Sequence, residues 1–163
     1  MVKSGAKWGE MPRRSEEKQF MFLGEYSHSI DEKGRLIIPS KFRGELGESF
    51  YVTKGLDNCL CLYPETEWEK LLEKLRSMPT INKNARQMTR VIASAADNVE
   101  LDKQGRILIP AKLREKIGLG KEVVLAGNLE KVEIWNKDDW DRMMSDEDMD
   151  AIEAALQECG ISF

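Results

Sequence analysis

The chain has 163 residues, 41% of them apolar and 33% charged, with a formal net charge of −4. These values describe one compact globular domain, or two small ones sharing a core, and argue against a uniformly basic nucleic-acid binder. No apolar run approaches the roughly 18 residues of a membrane span, and none follows a basic start, so neither a membrane partner nor export is expected and the protein reads as cytosolic. The charge is uneven. Residues 136–163 carry nine acids and two bases, a net −7, which leaves 23 bases against 20 acids and a net +3 in residues 1–135. An acidic tail on a mildly basic body is compatible with a local anion-binding face.

Residues 1–20 (MVKSGAKWGEMPRRSEEKQF) are polar, mixed in charge and without a sustained period. They read as a flexible N-terminal extension, an over-long start or an expression remnant. From Met21 onward, FLGEYSHSI has a strand pattern, DEKG is a hairpin turn in which Gly34 can take positive φ, and RLII is the return strand. Pro39 stops that strand and opens a short helix, SKFRGEL, with Phe42 and Leu46 on one face and Gly47 past its end. SFYVTKGL and CLCLYP predict a second hairpin around Asp57 and Asn58. Trp68, Leu71, Leu72 and Leu75 then recur at helical spacing, with Pro79 beyond the end. A connecting helix is expected over about 82–95, with Ala85, Met88, Ile92 and Ala95 as its apolar stripe. Lys83, Arg86 and Arg90 line another side and read as surface or interface residues.

The series then restarts. Strand NVEL, turn DKQG, strand RILI, Pro110, short helix AKLREKIGL, strands EVVLAG and KVEIW, and a helix opened by Asn136 follow in order. Asp139, three residues after Asn136, predicts a capping-box-like start. The repetition is close: residues 30–43 read IDEKGRLIIPSKFR and residues 101–114 read LDKQGRILIPAKLR, a shift of 71. Gly55, Leu62, Tyr63 and Trp68 match Gly127, Ile134, Trp135 and Trp140 at a shift of 72. The expected organisation is a first half at 21–79, a connecting helix at 80–97, a second half at 98–145 and an acidic tail at 146–163. A unit of about 50 residues buries little surface alone. Two copies are therefore expected to pack about a pseudo-twofold axis, interleaving their strands into one small barrel or sandwich.

Cys59 and Cys61 alternate with leucines in a strand pattern and, with Cys159, make no even framework, so they read as small apolar residues rather than a redox or metal centre. The sole histidine, His28, has no Cys or His partner at metal spacing, and no P-loop, nucleophile elbow or dinucleotide fingerprint occurs. No enzyme, metal, small cofactor or small-molecule substrate is expected.

Two copies of D-x-x-G-R, each followed by an apolar triplet whose last residue forms I-P and by a basic short helix, resemble the MraZ family of bacterial transcriptional regulators. The residues are Asp31, Gly34 and Arg35, and Asp102, Gly105 and Arg106. The likeness extends through MFLGEYSHSIDEKGRLIIPSKFR, ASAADNVELDKQGRILIPAKLR and the Trp68/Trp140 pair, nearly the whole body. It implies an α+β fold in which two pseudo-twofold related swapped-hairpin halves, similar to AbrB and MazE, form a double-split β-barrel with flanking helices. It also implies a repressor of the cell-division and cell-wall gene cluster that includes its own promoter. Such a regulator binds tandem DNA repeats as a ring-like homo-oligomer and is nucleoid-associated. The departures are the N-terminal extension and Gln104 standing where the first turn has Lys33.

The resemblance assigns Arg35 and Arg106 to DNA, and a guanidinium suits phosphate or the O6/N7 edge of guanine. Asp31 and Asp102 would repel phosphate, so with Gly34 and Gly105 they are expected to shape the turns or restrain the arginines. Lys33 and Lys103 read as phosphate contacts or solvated lysines. Lys41, Arg43, Lys112 and Arg114, on the short helices, read either as phosphate contacts or as a solvated basic face. A rival reading is an antitoxin-like protein–protein module, for which Met143, Met144, Met149, Ile152 and Leu156 would supply apolar contacts.

Overall fold

A computed structural model describes residues 19–162; the expected extension at 1–20 lies, apart from Gln19 and Phe20, outside the described residues. The described chain is α+β, with eight strands and six helices. Strands β1 (Glu25–Ser29) and β2 (Arg35–Ile37) flank the first turn, and α1 (Ser40–Leu46) follows. Next come β3 (Ser49–Lys54), β4 (Cys59–Pro64), α2 (Glu65–Arg76) and the connecting helix α3 (Lys83–Ala95). The second series is β5 (Asp97–Glu100), β6 (Arg106–Leu108), α4 (Ala111–Ile117), β7 (Glu122–Asn128), β8 (Lys131–Asn136), α5 (Lys137–Ser145) and α6 (Met149–Glu158). No helix among the described residues is long and apolar enough to cross a membrane.

The strands interleave across the repeat. Six form an antiparallel sheet in the order β1-β7-β8-β4-β3-β5, and β2 pairs only with β6 in a two-stranded ribbon. This corrects the simple hairpin expected at each turn. β1 pairs with β7 and β5 with β3, so each D-x-x-G-R turn carries the chain from the six-stranded sheet into the ribbon. The large sheet is open, with β1 and β5 as edges, and no closed barrel forms among the described residues.

Both halves contribute matching positions to one core. Leu36 with Ile107, Ile38 with Ile109, and Phe42 with Leu113 are buried together, joined by Leu60, Leu62, Val132 and Ile134 from the central strands. Three-residue strands are too short to stand alone, and an isolated two-stranded ribbon is marginal in water. The ribbon persists because Leu36 and Ile107 oppose each other on its inner face and are fully buried. Phe42 locks α1 onto this core by edge-on contacts with Phe22 and Tyr26, at centroid distances of 5.7 and 5.2 Å.

Two sequence details resolve differently from expectation. Asn136 does not cap α5; its Oδ1 instead accepts the Gly120 N–H at 3.0 Å. Asp139 accepts from Asn58 Nδ2 and pairs with Arg142, so the capping box gives way to tertiary partners. By contrast, α3 starts where its cap residue stands, with Asn82 Oδ1 accepting the Ala85 N–H at 3.0 Å.

Phe42→Ala should cost about 3–5 kcal/mol, because the aromatic anchor of α1 leaves a cavity between both halves. Chemical denaturation should show one cooperative transition at lower denaturant, not the loss of one half.

Candidate nucleic-acid interface

Each turn is built around its aspartate. Asp31 Oδ1 accepts the backbone N–H groups of Lys33 (3.0 Å) and Arg35 (2.8 Å), while Oδ2 accepts Arg35 Nε at 2.7 Å. Asp102 repeats this with Gln104 N (2.8 Å), Arg106 N (2.9 Å) and Arg106 Nε (2.8 Å). The backbone closes with Gly34 N to Asp31 O and Gly105 N to Asp102 O, both at 3.0 Å. The glycines take φ of 85° and 76°, a region that side chains disfavour. Lys33 and Gln104 enter these turns only through backbone N–H groups, so the difference between them leaves the turn geometry unchanged.

The aspartates therefore do two jobs: they form the turn and they hold the arginine by Nε. Nη1 and Nη2 of Arg35 and Arg106 have no hydrogen-bond partner among the described residues, and the side chains are 35% and 23% exposed. The ribbon then gathers the two arginines. Arg35 lies opposite Leu108, and Arg106 opposite Ile37. Since Leu36 and Ile107 face the core, strand alternation puts Arg35, Ile37, Arg106 and Leu108 on the outer face. Ile37 and Leu108 are 46% and 57% exposed, and the two arginines are diagonal neighbours, about 7–8 Å apart in such a ladder. From the sequence the apolar triplets read as return strands, with no face assigned to their residues. The period of two, counted from the core positions Leu36 and Ile38, was the available signal.

The remaining basic residues divide into two groups. Lys33, Lys103, Lys41 and Lys112 are exposed and form no ion pair among the described residues. Arg43 and Arg114 are half-buried, and each lies against the turn of the opposite half. A Cβ on Gly34 would fall 2.8 Å from Arg114 Cζ, and one on Gly105 would overlap the Arg43 guanidinium. Arg114 Nε also donates to the Ile109 carbonyl at 3.2 Å. Two backbone bonds reinforce the exchange: Ile38 N to Gly105 O at 2.9 Å, and Ile109 N to Gly34 O at 3.0 Å. The turns are thus cross-braced. The only trio of metal-ligating side chains found among the described residues lies elsewhere, at Cys59, Cys61 and Glu133.

Fold and site define a tandemly duplicated α+β protein that joins one strand from each copy to display two aspartate-held arginines. A family model described as "MraZ protein, putative antitoxin-like" matches residues 21–91 and again 92–159. The chain belongs to the MraZ family. It is 52% identical over 143 residues to a protein of Lachnoclostridium phytofermentans, covering 88% of this chain and all of that relative. It is 49% identical over 142 residues to one of Clostridium acetobutylicum, covering 86% of this chain and 100% of that relative. It is also 54% identical over 131 residues to one of Acetivibrio thermocellus, covering 80% and 92%. All three are named transcriptional regulator MraZ, which places the family among regulators and not among enzymes.

Backbone N–H groups and the paired arginine hold both aspartate carboxyls below their ordinary value of 3.8. With the folded value depressed, the turn's restraint is present above the unfolded pKa and is lost as pH falls through the folded one. Carbon-detected NMR titration should therefore give midpoints for Asp31 and Asp102 below 3.8, with the arginine Nε–H shifts changing at the same pH.

Proposed function

We propose that this chain is a sequence-specific, double-stranded DNA-binding transcriptional regulator whose reading surface is the outer face of the β2–β6 ribbon. One observation carries the reading. Two arginines, one from each half, share that face with Nε held by aspartate and both terminal nitrogens without a partner among the described residues. A two-stranded ribbon fits the major groove, and the terminal nitrogens of arginine match guanine O6 and N7. Ile37 and Leu108 beside them suit the thymine methyl. Lys33, Lys103, Lys41 and Lys112 contact phosphate, while Arg43 and Arg114 serve DNA binding through the turns they brace.

The relatives' shared name supports a regulatory role for this chain. We extend it to repression of the cell-division and cell-wall gene cluster, own promoter included, by a cytoplasmic, nucleoid-associated protein. The interleaved strands support a swapped-hairpin arrangement of the AbrB and MazE kind, with halves at 21–79 and 98–145, a connector at 80–97 and a tail at 146–163. One ribbon spans a short stretch of duplex, and discrimination against a genome of competing sites needs more contacts. A head-to-tail homo-oligomer closing into a ring would supply them on tandem repeats. The exposed Met143, Met144, Met149 and Ile152 of α5 and α6 favour such contacts between copies. The same residues favour the second reading, an antitoxin-like partner of an enzyme, which a pull-down yielding one stoichiometric enzyme and no promoter DNA would support.

Arg35→Ala should abolish operator binding while circular dichroism and mass by light scattering stay unchanged; Arg106→Ala should weaken it by about 1–3 kcal/mol of base discrimination. Undiminished binding by the double variant would remove the ribbon as the DNA surface. On promoter fragments, log K should fall with log[salt] at a slope near −0.9 per phosphate neutralised, and affinity should climb steeply with repeat number. A flat salt response, or one repeat bound as tightly as three, would overturn the electrostatic and the assembly parts respectively.

A further inference from the structure

On the face of the six-stranded sheet away from the main core, β4 and β8 bring together two thiols and a carboxylate that the ribbon does not use. Strand alternation puts Cys59 and Cys61 on that face of β4. Cys61 lies directly opposite Glu133 in the β4–β8 ladder. The two sulfurs and a Glu133 carboxylate oxygen all lie within 4.8 Å of one another. Both thiols are buried. From the other side the chain closes tightly at Gly55, where a Cβ would stand 2.8 Å from Cys59 Sγ and 3.0 Å from Cys61 Sγ.

Cysteines acting as small apolar residues account for the burial of the sulfurs but not for Glu133. This half-buried carboxylate forms no ion pair among the described residues. Its Oε1 accepts the Trp135 indole N–H at 3.1 Å, which orients the group beside the sulfurs. A carboxylate oxygen held beside two thiols by an indole N–H is a donor set that a cation could join.

We infer that Cys59, Cys61 and Glu133 form a site for a thiophilic divalent cation of the Zn²⁺ class. Such an ion takes thiolate and carboxylate ligands together, and metal–sulfur bonds of about 2.3 Å set two sulfurs about 3.8 Å apart in a tetrahedron. The trio, with its ligand atoms within 4.8 Å of one another, supplies three of the four ligands of such a site. The indole N–H acts as the outer hydrogen bond that metal-ligating groups need to hold their orientation. Two thiolates and a carboxylate exceed the charge of one divalent ion. Lys131 and Lys54, whose charges both act on Cys61, offset the excess, and Lys54 Nζ is anchored on the Gly55 and Asp57 carbonyls. The cysteines belong to the first copy and the glutamate to the second. A bound ion would therefore pin the halves together at the central β4–β8 pair, independently of whether the ribbon reads DNA.

The test uses full-length, reduced, metal-free protein carrying Cys159→Ser, because Cys159 is exposed and would add a stray thiol. Titration with Co²⁺ should produce thiolate-to-cobalt charge-transfer absorption saturating at one equivalent, and Zn²⁺ should displace it and raise the thermal midpoint. Trp135→Phe should keep the spectrum but weaken cobalt affinity by about 10- to 100-fold. Glu133→Gln should weaken it while leaving both sulfurs in place, which keeps the test decisive if a cysteine variant fails to fold. Absence of the charge-transfer band in the parent protein would overturn the site. So would a band, or a Zn²⁺-dependent thermal shift, that survives in the Cys59→Ser/Cys61→Ser double variant.

Discussion

The structure depends on the pairing of β2 with β6. Each strand has three residues, and neither finds a partner within its own copy. The pairing is stable only because its inner side chains, Leu36 and Ile107, enter a core filled equally by both copies. Neither copy can complete its fold without the other, since β1 needs β7 and β3 needs β5 in the same way. Duplication here is a requirement of burial and not a doubling of a finished domain.

From that pairing follows the geometry of the arginine face. A guanidinium on a free loop would lose rotamer freedom on binding, at a cost that erodes affinity. Arg35 and Arg106 sit instead at the starts of paired strands, each fixed through Nε by an aspartate that also forms the turn. A carboxylate beside each arginine lowers its attraction for anions, but it fixes the orientation of the two remaining guanidinium nitrogens. Arg43 and Arg114 extend the arrangement by covering the opposite turn's glycine, so the posture of each turn depends on the other half's short helix. Glycine at positions 34 and 105 satisfies two demands at once, a positive φ and room for that guanidinium.

Much of the fold was legible in the chain because local chemistry specifies it. The helix at Ser40–Leu46, the connecting helix at Lys83–Ala95 and the strand pair β3–β4 sit where Pro39, the helical apolar stripe and the alternating apolar residues put them. The capping box expected at Asn136 was lost because Gly120 offered its side chain a tertiary donor and Asn58 engaged Asp139. A local signal yields when a partner distant in sequence competes for the same atoms.

By itself the sequence determined the duplication, the element order, the two aspartate-arginine turns and the residues placed on them, since each is written in contiguous residues at short spacing. Tertiary structure alone decided which strand of one copy pairs with which strand of the other, because strands from either copy present the same alternating apolar pattern and only joint burial of both copies selects the exchange. It also decided that Arg35 and Arg106 share one face, that Arg43 and Arg114 cross to the opposite turns, and that Glu133 meets Cys59 and Cys61. Each of these joins a residue of one copy to a residue of the other, a separation over which no local periodicity carries information.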